Sequence, residues 1–207
     1  VAAKSEYEQA LALKKRALPA GHPDIGKTYY SLANAETALG HGPAALAAAD
    51  QAVAMYRAAY GNKKPLIWEP LLSRGEAFQL LGRLQEAESD FRVSLEGAEA
   101  LFGVEHAWTA IVLHDLGTVL MGRGKLREAI PVLDRTLKVR ERLEPNQESV
   151  AETRFALGRA LWQAEDDRPR ALALGRTARD EYAKLPGHER QIAAIDTWLK
   201  GRQRTGG

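Results

Sequence analysis

Glycine recurs along this chain at a fixed step: Gly40, Gly82 and Gly124 lie 42 residues apart, and Gly61 and Gly103 repeat the interval. Continuing the second series lands on Pro145 and Gly187, again residues that break helices. Ala3, Ala45, Ala87, Ala129 and Ala171 keep the same step, as do Pro23 and Pro65, while His22 and His106 stand two steps apart. Several independent series at one spacing mark an internal repeat. A repeat of this length restricts the chain to solenoids, propellers or arrays.

Each unit reads as a helix A, a short glycine turn, a helix B and a breaker-rich loop. In the first full unit helix A is predicted over Asp24 to Leu39 and ends at Gly40-His41-Gly42, glycine being the usual left-handed cap. Pro43 suits the first turn of helix B, where its missing N–H is not needed. Ala77, Leu80, Leu81 and Leu84 follow helical spacing and no segment alternates with period two, which excludes propellers. The fourth unit slips by one residue, Leu157-Gly158 standing 41 after Leu116-Gly117, and the turn Glu165 to Arg168 absorbs the slip. Pro131, about one turn into the third helix B, predicts a late start or a kink there.

The chain has 207 residues, no cysteine, and 29 basic against 27 acidic side chains, for a net charge of +2. Disulfide scaffolds and thiolate zinc sites are therefore excluded. The near balance of charge gives no bulk case for nucleic acid or an acidic membrane. No apolar run approaches the ~20 residues of a membrane-spanning helix. The opening residues from Val1 carry no helix-start signal, which predicts a chain cut inside a helix and belonging to a longer protein.

Small mid-helix residues, turn glycines and following alanines form the series Ala33/Gly40/Ala45, Gly75/Gly82/Ala87 and Gly117/Gly124/Ala129. Ala3, Tyr7 and Ala10 add a small–aromatic–small pattern in a leading helix B. This pattern resembles the tetratricopeptide repeat (TPR), and the long unit together with Gly21-His22-Pro23-Asp24 resembles the 42-residue variety of kinesin light chains. The helix A aromatic of that pattern is replaced by Glu36 and Leu120, and the helix B aromatic by Ala49, Leu133 and Gly175. HEAT-type repeats, similar in length, are the structural alternative. The resemblance implies an all-α, right-handed superhelix (α-solenoid) of antiparallel helix pairs with a C-terminal capping helix. Residues 1–20 then form helix B of a truncated repeat, 21–62, 63–104, 105–145 and 146–187 form repeats 1 to 4, 188–200 the capping helix and 201–207 a frayed tail. Ile192, Ile195, Trp198 and Leu199 make the apolar stripe of that cap.

No residue pattern supports catalysis. His22, His106 and His188 fall at repeated loop positions that a solenoid spreads apart, so they cannot share a metal, and His41 has no candidate partner. Gly122 to Leu126 lacks the Ser/Thr of a phosphate loop, and Asp166-Asp167 reads as a solvated turn. The cations Arg135, Lys138, Arg140 and Arg142 alternate with Asp134, Glu141 and Glu144, as on a solvated helix face. The expectation is a cytoplasmic, non-enzymatic protein with no cofactor and no metal.

TPR arrays bind peptides along their concave helix A face. Counted from the small mid-helix residue, the resemblance assigns that groove to Lys27, Tyr30, Asn34 and Thr37 in repeat 1. Repeat 2 gives Glu69, Leu72, Glu76 and Gln79, and repeat 3 gives His114, Thr118 and Met121. Repeat 4 gives Glu152, Phe155, Arg159 and Trp162. Asn34 is assigned to a ligand backbone, while Phe155, Trp162 and Leu72 are equally placed for packing between repeats. The implied partner is a protein or peptide, with neither nucleic acid nor membrane, and self-association is left open. The alternative is a regulatory or oligomerising tail of a larger signalling protein, since Ala171 to Lys200 resembles the ends of TPR arrays on bacterial Ser/Thr kinases.

Overall fold

The computed structural model describes residues 2–143 and 147–203. Pro145 of the glycine–proline series, and the last four residues of the expected tail, lie outside them. Every regular element among the described residues is an α-helix, in two compact units, 1–104 and 105–207. No described helix is long and apolar enough to cross a membrane.

Unit 1 opens with α1 (Ala2–Ala17), followed by the pairs α2 (Pro23–Ala38) with α3 (Gly42–Tyr60) and α4 (Lys64–Leu80) with α5 (Leu84–Phe102). In it α1 packs on α2, α3 on α4, and the two A helices α2 and α4 also touch. Unit 2 pairs α6 (Ala107–Gly122) with α7 (Leu126–Leu143) and α8 (Gln147–Gln163) with α9 (Arg168–Tyr182), and ends in α10 (Glu189–Gln203) against α9. This is an all-α solenoid of helix pairs, and within each unit neighbouring pairs pack on one another.

The turns explain the period. Gly40, Gly82 and Gly124 take φ of 76°, 74° and 73°, where any other residue is strained, and each is followed at once by the N-cap of helix B or its equivalent. In the fourth turn Glu165 occupies that left-handed place with φ 55°, at a cost of about 1–2 kcal/mol relative to a relaxed backbone. The added residue is Asp166. The next one, Asp167, caps α9 by accepting the Arg170 N–H at 2.9 Å. The slip is thus confined to one turn and the helical stripes keep their register.

Three expectations change. The third helix B does not start late: α7 begins at Leu126 and carries Pro131 inside it, as α4 carries Pro70. His41 has a partner, its Nδ1 lying 2.8 Å from Glu36 Oε2. Glu36 takes the helix A aromatic position and is 4% exposed, so a buried charge there demands compensation. Lys4 supplies it from α1 at 2.8 Å, which fastens the leading helix to repeat 1. Finally, α10 continues three residues past the expected end of the cap, as Arg202 donates to the Trp198 carbonyl at 2.9 Å.

The Lys4 hydrogen bond, opposed by burial and aided by His41, holds the Glu36 carboxyl below its ordinary 4.5. A depressed carboxylate contributes stability above its unfolded-state value and loses it as pH falls through the folded one. Glu36→Gln should therefore destabilise unit 1 at neutral pH. The difference from the parent should shrink once pH drops below about 4.5. Urea titrations at neutral and acid pH measure it, and a difference that grows on acidification would show that Glu36 is not held by charge.

Candidate functional site

The repeated loop histidines are helix caps. His22 Nδ1 accepts the Asp24 N–H and His106 Nδ1 the Trp108 N–H, both at 3.2 Å, at the start of helices α2 and α6. His188 instead stacks on Tyr182 and sits 3.2 Å from Glu148. Among the described residues no three His, Asp or Glu side chains converge as a metal site would require.

In unit 1 the α2 and α4 side chains assigned to the groove form one polar strip. Lys27 is exposed, and Tyr30, Asn34, Thr37, Glu69, Glu76 and Gln79 are half-buried. Leu72 is buried, and belongs to the packing between repeats. Asn34 is already engaged, because the Ser73 hydroxyl of α4 donates to its Oδ1 and Tyr30 shares a hydrogen bond with its amide. Burial pushes the Tyr30 hydroxyl up, and the Glu69 and Glu76 charges add to it. The same cause raises Glu69, which Lys27 partly offsets, and lifts the Glu76 carboxyl to about 7. Behind them the Tyr56 hydroxyl is raised to about 12 by burial and by Glu69. Carboxylates desolvated in this way favour a cation or a hydrogen-bond donor.

In unit 2 two of the assigned residues work inside the protein. His114 is buried, its Nδ1 3.2 Å from the Thr153 hydroxyl and its Nε2 3.5 Å from Glu152. Arg140 closes this network by donating to Thr153 Oγ1 at 2.5 Å and to the Ser149 carbonyl at 2.8 Å. The His114 contact, against burial, holds the Glu152 carboxyl down although its side chain reaches solvent. The Thr118 hydroxyl donates to the Asp115 carbonyl within its own helix, and Met121 packs half-buried on the unit 2 core.

Phe155 and Trp162 are half-buried beside Trp198 of α10, with ring centroids 5.4 and 6.1 Å away in edge-to-face contact. Arg159 between them is exposed, its guanidinium 5.9 Å above the Phe155 ring. Arg202 and Arg168 complete the cluster over Trp162 at 5.4 and 5.2 Å. Neither arginine belongs to the assigned groove, because counting from the mid-helix small residue reaches only helices A. The spacing of Arg202 four residues after Trp198 was the available signal.

Models of the tetratricopeptide repeat family match residues 26–65, 69–142 and 114–184. The chain belongs to the tetratricopeptide repeat family. TPR proteins are scaffolds for protein–protein interaction, and this chain has their architecture of paired helices with small residues at each crossing. No curated protein matches the sequence. Among solved structures, a protein described as a kinesin light chain of Podosopora anserina with nearly identical TPR-like repeats is 22% identical. The alignment covers 89% of this chain and 87% of that one, with a TM-score of 0.68. BtubC (BKLC) from P. vanneervenii is also 22% identical over 88% of this chain and 73% of its own, with a TM-score of 0.75. A Rap protein in complex with competence and sporulation factor is 16% identical over 98% of this TPR chain and 58% of the Rap chain, with a TM-score of 0.62. At these identities the likeness is one of fold.

Proposed function

We propose that this TPR chain holds a segment of another protein along its helix A face, the concave side of the superhelix that the family implies. The observation that carries the reading is the contrast along α2, α4 and α8. Each buries a face, with Ile25, Ala33, Leu71, Ala77, Leu157 and Leu161 in it, and each leaves a row of solvent-reaching polar and aromatic side chains: Lys27, Tyr30, Glu69 and Glu76 in unit 1, Phe155, Arg159 and Trp162 in unit 2. Aromatic anchors beside arginines and hydrogen-bonding groups are the composition of protein interfaces.

Charge-reversal variants at exposed sites test this without disturbing the core. Lys27→Glu with Arg159→Glu alters helices A, and Arg57→Glu with Arg176→Glu makes the matched change on exposed positions of the B helices α3 and α9. Partners captured by the parent should be lost from the first variant and kept by the second. The reverse pattern would place binding on the B helices and reject this reading.

A further inference from the structure

The last helix is held at its start by a histidine that works unlike its counterparts. His22 and His106 turn Nδ1 forward, where it accepts an N–H of the helix that follows. His188, in the same place before α10, turns Nδ1 back, where it donates to the Pro186 carbonyl at 2.9 Å. Its Nε2 lies 3.2 Å from a carboxylate oxygen of Glu148, in the first turn of α8. Both partners are acceptors, and a neutral imidazole has only one N–H to give. The two contacts are met together only by the imidazolium, which carries a proton on each nitrogen. Tyr182 of α9 fixes the ring plane by stacking on it, with centroids 5.2 Å apart.

The charges around the ring favour that form. From α8, Glu148 meets it directly, and Glu152, one turn on, is held as a carboxylate by His114 of α6 and by Arg140 of α7, 3.8 Å away. Arg140, the opposing charge, donates to Thr153 Oγ1 and the Ser149 carbonyl. From α9, Glu181 is paired with Arg154 of α8. The Tyr182 hydroxyl is pushed up to about 12 by burial and by Glu152 and Glu148, so it stays neutral where histidine titrates. Lys184, Glu189 and Arg190 flank His188 in sequence and are exposed. The Glu148 hydrogen bond, opposed by burial and aided by the Pro186 and Leu185 carbonyls, raises His188 above its ordinary 6.5. A raised histidine contributes in full below its unfolded-state value and loses that contribution as pH rises through the folded one.

We propose that His188 is a proton-operated latch, tying the start of α10 to the start of α8 when it is protonated and freeing it when the proton leaves. Deprotonation sets the lone pair of one ring nitrogen against an acceptor, so one of the two ties is lost. The body of α10 rests on α9 through the Asp196–Arg179 pair at 3.3 Å and carries Trp198 against Phe155 and Trp162 of α8. The cap should therefore loosen as the solution turns alkaline, and with it the cover over those two rings.

Nitrogen-15 NMR of the histidine rings in the full chain tests the protonation, with His188 assigned by its loss in His188→Gln. Below its midpoint both ring nitrogens should carry protons, and the midpoint should stand above that of the same histidine in the urea-unfolded chain. Amide exchange, corrected for base catalysis, tests the latch. Opening of α10 should increase with pH by about tenfold for each pH unit that separates the two midpoints, while α4 and α5 show no such trend. Glu148→Gln, at an exposed position, should bring the midpoint toward the unfolded value and remove most of the trend. A folded midpoint at or below the unfolded one overturns the imidazolium. A raised midpoint with pH-independent opening of α10 overturns the latch, and the parent chain alone decides both outcomes whether or not a variant folds. A trend that survives His188→Gln belongs to another group and also overturns the proposal.

Discussion

Trp198→Ala is expected to destabilise unit 2 by about 3–5 kcal/mol, the range for removing a large buried aromatic side chain. Trp198 is 9% exposed and reaches three parts of the last repeat. Its ring edges meet Phe155 and Trp162 of α8, and it lies over Gly175 of α9, where a Cβ would come within 2.8 Å of Trp198 Cζ3. Gly175 is the fourth helix B position at which the repeat pattern asks for a large residue. The cap therefore fills from outside a space that Phe91 and Leu133 fill from within their own repeats. Removing the indole opens a cavity against a glycine, which cannot close it.

Because a solenoid is held by nearest neighbours, the loss should be local. Amide exchange in α8, α9 and α10 should accelerate by a factor matching the measured ΔΔG, while α2 to α5 in unit 1 keep their protection. Trp198→Phe should cost less, since a ring remains over Gly175. A loss below about 1 kcal/mol for Trp198→Ala would mean that α10 does not cap the array.

How far the sequence led can be traced through single positions. The turns were legible because their demand is local: left-handed φ selects glycine, and glycine left a countable series. The alternation of helices A and B was legible for the same reason, as one periodicity fixes it. What periodicity does not contain is how closely the next helix A approaches. Leu72 and His114 lie on the assigned face yet are buried, and Asn34 is engaged by Ser73 of the following helix A. The Asn34–Ser73 and His114–Thr153 bonds both span 39 residues, a little short of the repeat step. That interval is the signature of helix A touching helix A, and it could have been sought. The Glu36–His41–Lys4 tie was hidden for a different reason, since it crosses from α1 into a turn. A departure from the aromatic pattern marked the place without naming the partner.

The small mid-helix residue and the helix B residue 16 places later vary together, which leads to a second large effect. Ala33 faces Ala49, Gly75 faces Phe91 and Gly117 faces Leu133, so the side chain is large on B only where A has no side chain at all. A Cβ built on Gly75 would come within 2.7 Å of Phe91 Cδ1, and one on Gly117 within 2.6 Å of Leu133 Cδ2. Phe91 is fully buried, so its ring has nowhere to go. Gly75→Ala should then cost about 1–3 kcal/mol by overpacking, in spite of the gain in helix propensity. Phe91→Ala alone should cost about 3–5 kcal/mol for the cavity it leaves. The double variant recreates the Ala33–Ala49 pair that repeat 1 already accommodates at zero exposure. It should fall short of the sum of the single losses by at least about 1 kcal/mol, because the new methyl enters the void instead of striking a ring. Urea unfolding of the four proteins measures that coupling directly. Losses that add to within about 0.5 kcal/mol would show that the two positions are set independently and that the pairing across repeats has no packing cause.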